Sequence, residues 1–139
     1  MHEKYLLKAY KESIKAMKKG EIPVGCVIIK NGRIISKAHN NRQHKYTVLG
    51  HSEINAILKA EKKLKDWRLD GCTMYVTLFP CKMCQLFIKE SRIDKVYYLV
   101  NNDNIKEFNN DLFIKINNMS DLSEKYSNNL KKFFKKMRN

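Results

Sequence analysis

The segment TLFPCKMC, residues 77–84, places a proline directly before one cysteine and a second cysteine three residues later. A β-rich run, CTMYVTL (residues 72–78), leads into it. Proline is favoured in the first turn of a helix, so Pro80 predicts a helix start. Residues three apart on a helix share a face, so Cys81 and Cys84 can approach one point. By itself the segment is compatible with a metal site, a redox pair or two packed thiols.

A histidine farther upstream separates these possibilities. His51 begins a second predicted helix, HSEINAILKAEKKL, and Glu53 follows two residues later. Two converging helix starts would join one imidazole and two thiolates, and their positive dipole ends favour the thiolates. One nitrogen and two sulfurs are the ligands of a catalytic zinc site with an open fourth position. Zinc makes water a nucleophile at neutral pH, and Glu53 is the nearby carboxylate that can transfer protons.

The spacing supports this interpretation, but it leaves alternatives open. The 26 residues from Ile54 to Phe79 hold one predicted helix, one loop and one strand, enough to bring the second helix start beside the first. A structural zinc site would need a fourth ligand, for which Cys26, Cys72 and His39 are candidates. An inert thiol pair is the other alternative. Cys26 and Cys72 lie in apolar runs and are expected to pack in the core.

The remaining pattern predicts a layered α/β domain with a mixed sheet. Helices are predicted over residues 3–19, from His51, from Pro80 and over residues 120–139, with Ser120 or Asp121 as the last N-cap. Strands are predicted over residues 23–30, 33–38, 72–78, 94–100 and within 111–116, and a loop over residues 40–50. Asn31–Gly32 between the first two runs is a hairpin signal. Ile54, Ile57 and Leu58 are expected to face the core.

Length and composition set further limits. The 139 residues predict one domain, and the net charge of +14 favours a polyanionic partner such as nucleic acid. The abundance of Lys and Asn is also typical of compositional drift. No apolar run reaches the length of a membrane span, and residues 1–20 lack a signal-peptide core. We therefore expect a cytoplasmic protein with no membrane contact and four reduced cysteines.

Taken together, HSE (residues 51–53) and PCKMC (residues 80–84) resemble the His-x-Glu and Pro-Cys-x-x-Cys signature of the zinc nucleoside and nucleobase deaminases. Within that group the chain is most similar to the bacterial tRNA-specific adenosine deaminases. The similarity extends over most of the chain, through the blocks EIPVGCVIIKNGRIISKAHN (21–40), HSEINAI (51–57), LDGCTMYVTLFPCKMC (69–84), SRIDKVYY (91–98) and FFKKMR (133–138).

The resemblance implies a three-layer α/β/α cytidine-deaminase-like fold, with a mixed five-stranded sheet and helices on both faces. It implies a homodimer that converts adenosine to inosine at the wobble position of the tRNA anticodon stem-loop, with one zinc ion per subunit. By matching positions, His51, Cys81 and Cys84 would bind zinc and Glu53 would transfer protons. Substrate contacts would come from Asn40 (to the base), Val24 and Pro80 (pocket walls) and the backbone of Ser52.

The basic C-terminus supplies candidate phosphate contacts. These are Lys131, Lys132, Lys135, Lys136 and Arg138. Lysines at a helix end also complement the helix dipole, so a solvated helix end is the competing interpretation.

Several positions depart from the family pattern. Ser52 stands where the family usually has Ala, and Phe79 where it usually has Glu. Residues 43–50 lack the usual Asp-Pro pattern, and residues 101–110 lack the glycine-rich stretch. The tRNA isoacceptor therefore stays open. Two other functions compete: deamination of a free base, nucleoside or nucleotide (guanine, cytidine or deoxycytidylate), and a non-catalytic zinc-containing RNA-binding subunit.

Overall fold

A computed structural model describes residues 1–105 and 111–138. Its elements, in chain order, are α1 (His2–Lys18), β1 (Gly25–Lys30), β2 (Arg33–His39), α2 (Arg42–Lys45), α3 (Ser52–Leu64), β3 (Cys72–Leu78), α4 (Lys82–Glu90), β4 (Lys95–Val100), β5 (Phe113–Lys115) and α5 (Ser120–Met137). Within these ranges, each helix is either too short or too polar to cross a bilayer.

The five strands form one mixed sheet in the order β2-β1-β3-β4-β5. β1 pairs antiparallel with β2 and β3, whereas β3, β4 and β5 run parallel. The hairpin between β1 and β2 turns at Asn31 and Gly32, which both have positive φ (51° and 73°). Two such residues in succession are the requirement of a tight hairpin turn, which confirms the predicted Asn-Gly hairpin.

Helices cover both faces of the sheet, as the alternation of side chains along β1 shows. Cys26 and Ile28 point into a core shared with α3 and α4. Val27 and Ile29 point into a second core shared with α1 and α5. The predicted three-layer arrangement is therefore confirmed, and Cys26 is a core residue as expected. Because the parallel strands β3, β4 and β5 end at one edge of the sheet, the loop that follows β3 opens at that edge, where α4 begins.

Three local predictions were wrong. Pro80 lies before the helix, because the N-cap of α4 is Cys81 and the first helical residue is Lys82. The N-cap of α5 is Met119, so neither Ser120 nor Asp121 caps that helix. The segment predicted as a loop contains the short helix α2. α2 forms because the buried carboxylate of Glu21 accepts hydrogen bonds from two backbone N–H groups in its first turn, an interaction the local pattern does not reveal.

The core face of α3 was only partly predicted. Ile54 and Ile57 are buried as expected, but Leu58 is 50% exposed. The buried stripe also includes Glu53, Ala56 and Ala60, next to the isoleucines. One helical position therefore points outward although its side chain is apolar.

Candidate metal centre

The N-termini of α3 and α4 bring three potential ligands together. His51 is the N-cap of α3, Cys81 is the N-cap of α4, and Cys84 lies one turn into α4. One donor atom from each residue lies within 4.8 Å of the other two. The distance between Cys81 Sγ and His51 Nδ1 is 3.9 Å. The His51 side chain forms no capping hydrogen bond with α3, whereas Cys81 is hydrogen-bonded to Cys84 of its own helix.

The two sulfurs differ in protonation. The Cys84 thiol donates a hydrogen bond to Cys81, and this bond, together with His51, lowers the pKa of Cys81 to about 4 despite partial burial. The same hydrogen bond and burial raise the pKa of Cys84 well above its ordinary range. Hydrogen bonding to Cys81 also raises the pKa of His51. The cluster thus holds one thiolate at neutral pH, and a dication can recruit the second by displacing a proton.

Glu53 lies beside the three ligands without being one of them. It occupies the first turn of α3 and is only 4% exposed. Its Oε1 accepts a hydrogen bond from the Ser52 hydroxyl at 2.5 Å. Burial raises the pKa of Glu53, and the bond from Ser52 opposes that rise. A buried carboxyl with a raised pKa can hold and release a proton near neutral pH, as general acid–base chemistry requires.

The donor set fits zinc. Cysteine sulfur and imidazole nitrogen are preferred zinc ligands, and three protein ligands leave one tetrahedral position for a non-protein ligand. The fourth ligands considered from the sequence lie elsewhere. Cys26 and Cys72 are packed in the core, and His39 Nδ1 pairs with Glu12 Oε1 at 3.1 Å. Among residues 1–105 and 111–138, the metal-binding group therefore consists of His51, Cys81 and Cys84.

The predicted substrate residues are connected to the segments that carry the metal ligands. The buried Asn40 accepts the backbone N–H of Ser52 through Oδ1 at 2.7 Å. The backbone N–H of Asn40 donates to the Val24 carbonyl at 3.2 Å. These hydrogen bonds link three of the four predicted positions into one unit. Pro80, the fourth, is buried directly before Cys81, and its carbonyl accepts a bond from Gln85 Nε2 at 2.9 Å. Contacts between these four residues and a substrate remain predictions.

A groove beside Asn40 was not predicted from the sequence. It has a volume of about 470 Å³ and separates the end of α5 from the segments before β1 and after β2. We call it the tail groove; its lining is Gly20, Glu21, Ile22, Asn40, Arg42, Gln43, Phe133, Phe134 and Met137. The predicted phosphate contacts Lys131, Lys132, Lys135, Lys136 and Arg138 are all exposed on α5 or directly after it. The groove lies between the end of this basic helix and Asn40. This proximity depends on tertiary packing, so the local sequence does not reveal it.

Phe79 belongs to the core and not to the pocket. Its buried ring packs edge-on against Tyr98 and Phe113, with ring centroids 4.9 and 5.4 Å away. Such aromatic pairs stabilise a core beyond their buried area. An aromatic residue at this position thus fills the space beneath β4 and β5, on the side of the sheet that carries α4.

Comparisons with known proteins agree with this geometry. A family model described as the cytidine and deoxycytidylate deaminase zinc-binding region matches residues 1–100. The tRNA-specific adenosine deaminase of Bacillus subtilis (strain 168) is 46% identical over 96 residues, which make up 69% of this chain and 60% of that protein. This chain thus spans less than two thirds of that relative's length.

Solved structures with the same fold include two that are at least 34% identical. One comes from studies of A-to-I editing by tRNA:A34 deaminases at the wobble position of transfer RNA. Its TM-score is 0.72 at 34% identity, over 73% of this chain and 78% of that chain. The other is a guanine deaminase from Bacillus subtilis, with a TM-score of 0.70 at 35% identity, over 73% of this chain and 65% of that chain. These likenesses confirm the cytidine-deaminase-like fold. The family model covers both helix starts that carry the ligands, and on this basis the chain belongs to the family with the cytidine and deoxycytidylate deaminase zinc-binding region.

Proposed function

We propose that this chain is a zinc-dependent hydrolase that converts adenosine to inosine at the wobble position of tRNA. The observation that carries the proposal is the buried Glu53 carboxyl beside a three-ligand zinc group. The choice of substrate is supported by the similarity to tRNA-specific adenosine deaminases. We further propose that residues 1–139 act as one domain. A tRNA substrate places the reaction in the cytoplasm.

Each residue of the centre has a distinct task in this reaction. His51, Cys81 and Cys84 would hold the zinc ion, which when bound supplies a Lewis acid that lowers the pKa of water. Glu53 takes up a proton as general base and returns it to the substrate as general acid. The Ser52 hydroxyl orients Glu53 by donating to Oε1. Burial of Glu53 excludes bulk water, so the proton passes between fixed partners.

Asn40 orients the base. Because its Oδ1 already accepts the Ser52 N–H, the group it offers to a base is the Nδ2 donor. Adenine presents ring nitrogens as acceptors, which suits a donor at this position. The carbon that reacts is hidden while a base is stacked, so the nucleotide must be turned out into the pocket. Unstacked anticodon-loop bases meet this requirement at low cost.

The tail groove supports an RNA substrate over a small molecule. Phe134 lines it and is 42% exposed, although large aromatic side chains are usually buried. Exposed aromatic rings stack on bases, and basic side chains contact phosphates. Lys135 and Lys136 lie in the same last turn of α5. The groove lining thus combines aromatic rings with the basic Arg42 next to Asn40, and the two lysines lie on the helix end that borders it.

We propose that the protein acts as a homodimer through the outer face of α3 and α4. Leu58 on α3 and Leu86 on α4 are 50% and 63% exposed. The two helices contact each other on the same side of the sheet, and both leucines point away from the core that they cover. Exposed apolar side chains that share a face mark an interaction surface. A second copy of the chain is the partner we propose for it.

A free base is the second candidate substrate, favoured by the 35% identity to a guanine deaminase. The decisive experiment incubates the zinc-loaded protein with tRNA and, separately, with free guanine, adenosine and cytidine. Reverse transcription should then read guanosine in place of adenosine at the first anticodon position. Deamination of a free base with unchanged tRNA would favour the second candidate.

The matched control is Glu53→Gln, which preserves size and removes the proton carrier. It should keep one zinc per chain and lose roughly 10²- to 10⁴-fold in rate. Full zinc content with no tRNA turnover would also distinguish this variant from a protein that fails to fold. Wild-type activity in Glu53→Gln would contradict the role of Glu53 as the proton carrier.

A further inference from the structure

One tyrosine of α5 is hydrogen-bonded to the segment that leads into β1. Tyr126 is 0% exposed, and its hydroxyl donates to the Pro23 carbonyl at 2.6 Å. The two residues lie 103 positions apart in the chain. Pro23 has no N–H, so its carbonyl is the one backbone group through which hydrogen bonds can hold this residue. Val24, a predicted wall of the pocket, follows directly.

A second hydroxyl completes the arrangement. Burial raises the pKa of the Tyr126 phenol, and the nearby Thr77 hydroxyl lowers it. Thr77 Oγ1 also accepts the backbone N–H of Gly25 at 3.1 Å. The segment from Pro23 to Gly25 is therefore held at both ends by a buried hydroxyl, that of Tyr126 at Pro23 and that of Thr77 at Gly25.

The same segment is hydrogen-bonded to Asn40. The carbonyl of Val24, between the two fixed residues, accepts the backbone N–H of Asn40. Asn40 in turn binds the backbone N–H of Ser52 through its side chain. A movement at Pro23 would consequently shift both the pocket wall and the side chain that orients the base.

Packing alone does not account for the tyrosine. Burying a hydroxyl is costly unless it is hydrogen-bonded, and phenylalanine would fill nearly the same space without that cost. We propose that Tyr126 is a positioning residue, through which the docking of α5 sets the position of Val24 and Asn40. The consequence for catalysis rests on the proposed function; the structural part does not.

The test compares Tyr126→Phe with Tyr10→Phe, a matched control. The Tyr10 ring lies edge-on to Tyr126 at 6.5 Å, and its hydroxyl accepts a bond from Asn129 Nδ2 at 3.2 Å. Both variants therefore remove one phenol oxygen that is hydrogen-bonded between α5 and another segment, but only Tyr126→Phe frees the Pro23 carbonyl. Thr77→Val is a second variant, which removes the β3 hydroxyl that accepts the Gly25 N–H at the other end of the segment.

Amide hydrogen exchange measures the positioning without reference to activity. In Tyr126→Phe and Thr77→Val, the amides of Gly25 and Asn40 should exchange about tenfold faster than in the wild type, which corresponds to about 1.4 kcal/mol of local opening. In Tyr10→Phe both amides should keep the wild-type rate. Equal rates in Tyr126→Phe and Tyr10→Phe would overturn the proposal.

Kinetics on an anticodon stem-loop measures the consequence. A misplaced pocket wall should lower kcat by roughly 10- to 100-fold in Tyr126→Phe. KM should stay within about twofold, because phosphate contacts dominate RNA affinity and are untouched. An unchanged kcat with faster exchange would overturn the catalytic role. A wild type that is inactive on tRNA, with the expected exchange pattern, would refute the proposed function and support the positioning.

Discussion

The hydroxyl of Ser52 lies 2.5 Å from Oε1 of Glu53, so the proposed proton carrier is hydrogen-bonded to its own chain neighbour. That neighbour is a departure from the family pattern, which usually has alanine there. The bond lowers the pKa of a carboxyl whose burial raises it. The one hydroxyl that serine has and alanine lacks therefore tunes the group on which the reaction depends.

Replacing Ser52 by alanine should shift the pH dependence of the reaction. Without the hydroxyl, burial is opposed less strongly and the pKa of Glu53 rises further above its ordinary value. A general base is active when ionised, so kcat/KM falls as the pH drops through this pKa. The acidic limb of the pH–rate profile should thus move to higher pH. Ser52→Thr, which keeps a hydroxyl, should retain the wild-type limb; a shift toward lower pH in Ser52→Ala would contradict this account.

Zinc binding should release protons, because the free cluster holds a thiol at Cys84. With the pKa of Cys81 at about 4 and that of Cys84 raised far above the ordinary range, binding near pH 8 should displace about one proton. As the pH falls, His51 should add a second proton, because its pKa is raised by the hydrogen bond to Cys81. Calorimetry in buffers of different ionisation enthalpy measures the number of protons released at each pH. Cys72→Ala, a core variant away from the ligands, should give the same proton count.

The sequence was sufficient for the metal ligands but not for their supports. His51, Cys81 and Cys84 could be predicted because ligand chemistry and helix-start signals are local features. Glu21 could not, because a buried carboxylate capping α2 depends on the approach of two segments about 20 residues apart. The same holds for Tyr126, whose partner lies in the first quarter of the chain.

Two apolar residues lie in surroundings that their positions in the sequence do not indicate. Leu58 was assigned to the core because its periodicity and chemistry match Ile54, yet it points outward. Phe79 stands next to Pro80 where the family usually has Glu, yet its ring turns into the core. Successive side chains of an extended segment point to opposite sides. A residue next to a site residue can therefore face the core, which its position in the motif does not reveal.

Glu21 should make the stability of the fold depend on pH. Burial raises its pKa, but hydrogen bonds from His44 and from the backbone of Gln43 and His44 outweigh burial and bring it below the ordinary 4.5. A lowered folded-state pKa contributes stability that is present above pH 4.5 and lost as the pH falls through the folded value.

Glu21→Gln should therefore lower the free energy of unfolding by about 1–2 kcal/mol at pH 7. The difference from the wild type should shrink below pH 4.5, the ordinary value of a glutamate. Denaturant titrations at several pH values measure it. Glu124→Gln, at an exposed position of α5, should change little at any pH. A difference that grows on acidification would show that Glu21 does not act as an ionised cap.

Removing Lys135 and Lys136 should reduce the salt dependence of RNA affinity. If each contacts one phosphate, the slope of log K against log salt should fall by about 1.4 for single-stranded RNA. Lys62→Ala/Lys63→Ala is the matched control, because this adjacent exposed pair ends α3 as Lys135 and Lys136 end α5. The same slope change in both double variants would indicate a general charge effect and no contact at the tail groove.

X-ray absorption at the zinc edge tests the central claim most directly, since it reports the ligands around the ion. A chain that binds zinc through His51, Cys81 and Cys84 should contain one zinc, with two sulfurs at about 2.3 Å and two lighter atoms at about 2.0–2.1 Å. One of the lighter atoms is the imidazole nitrogen, and the other belongs to solvent. A third sulfur, a second imidazole or protein purified without zinc would contradict the claim.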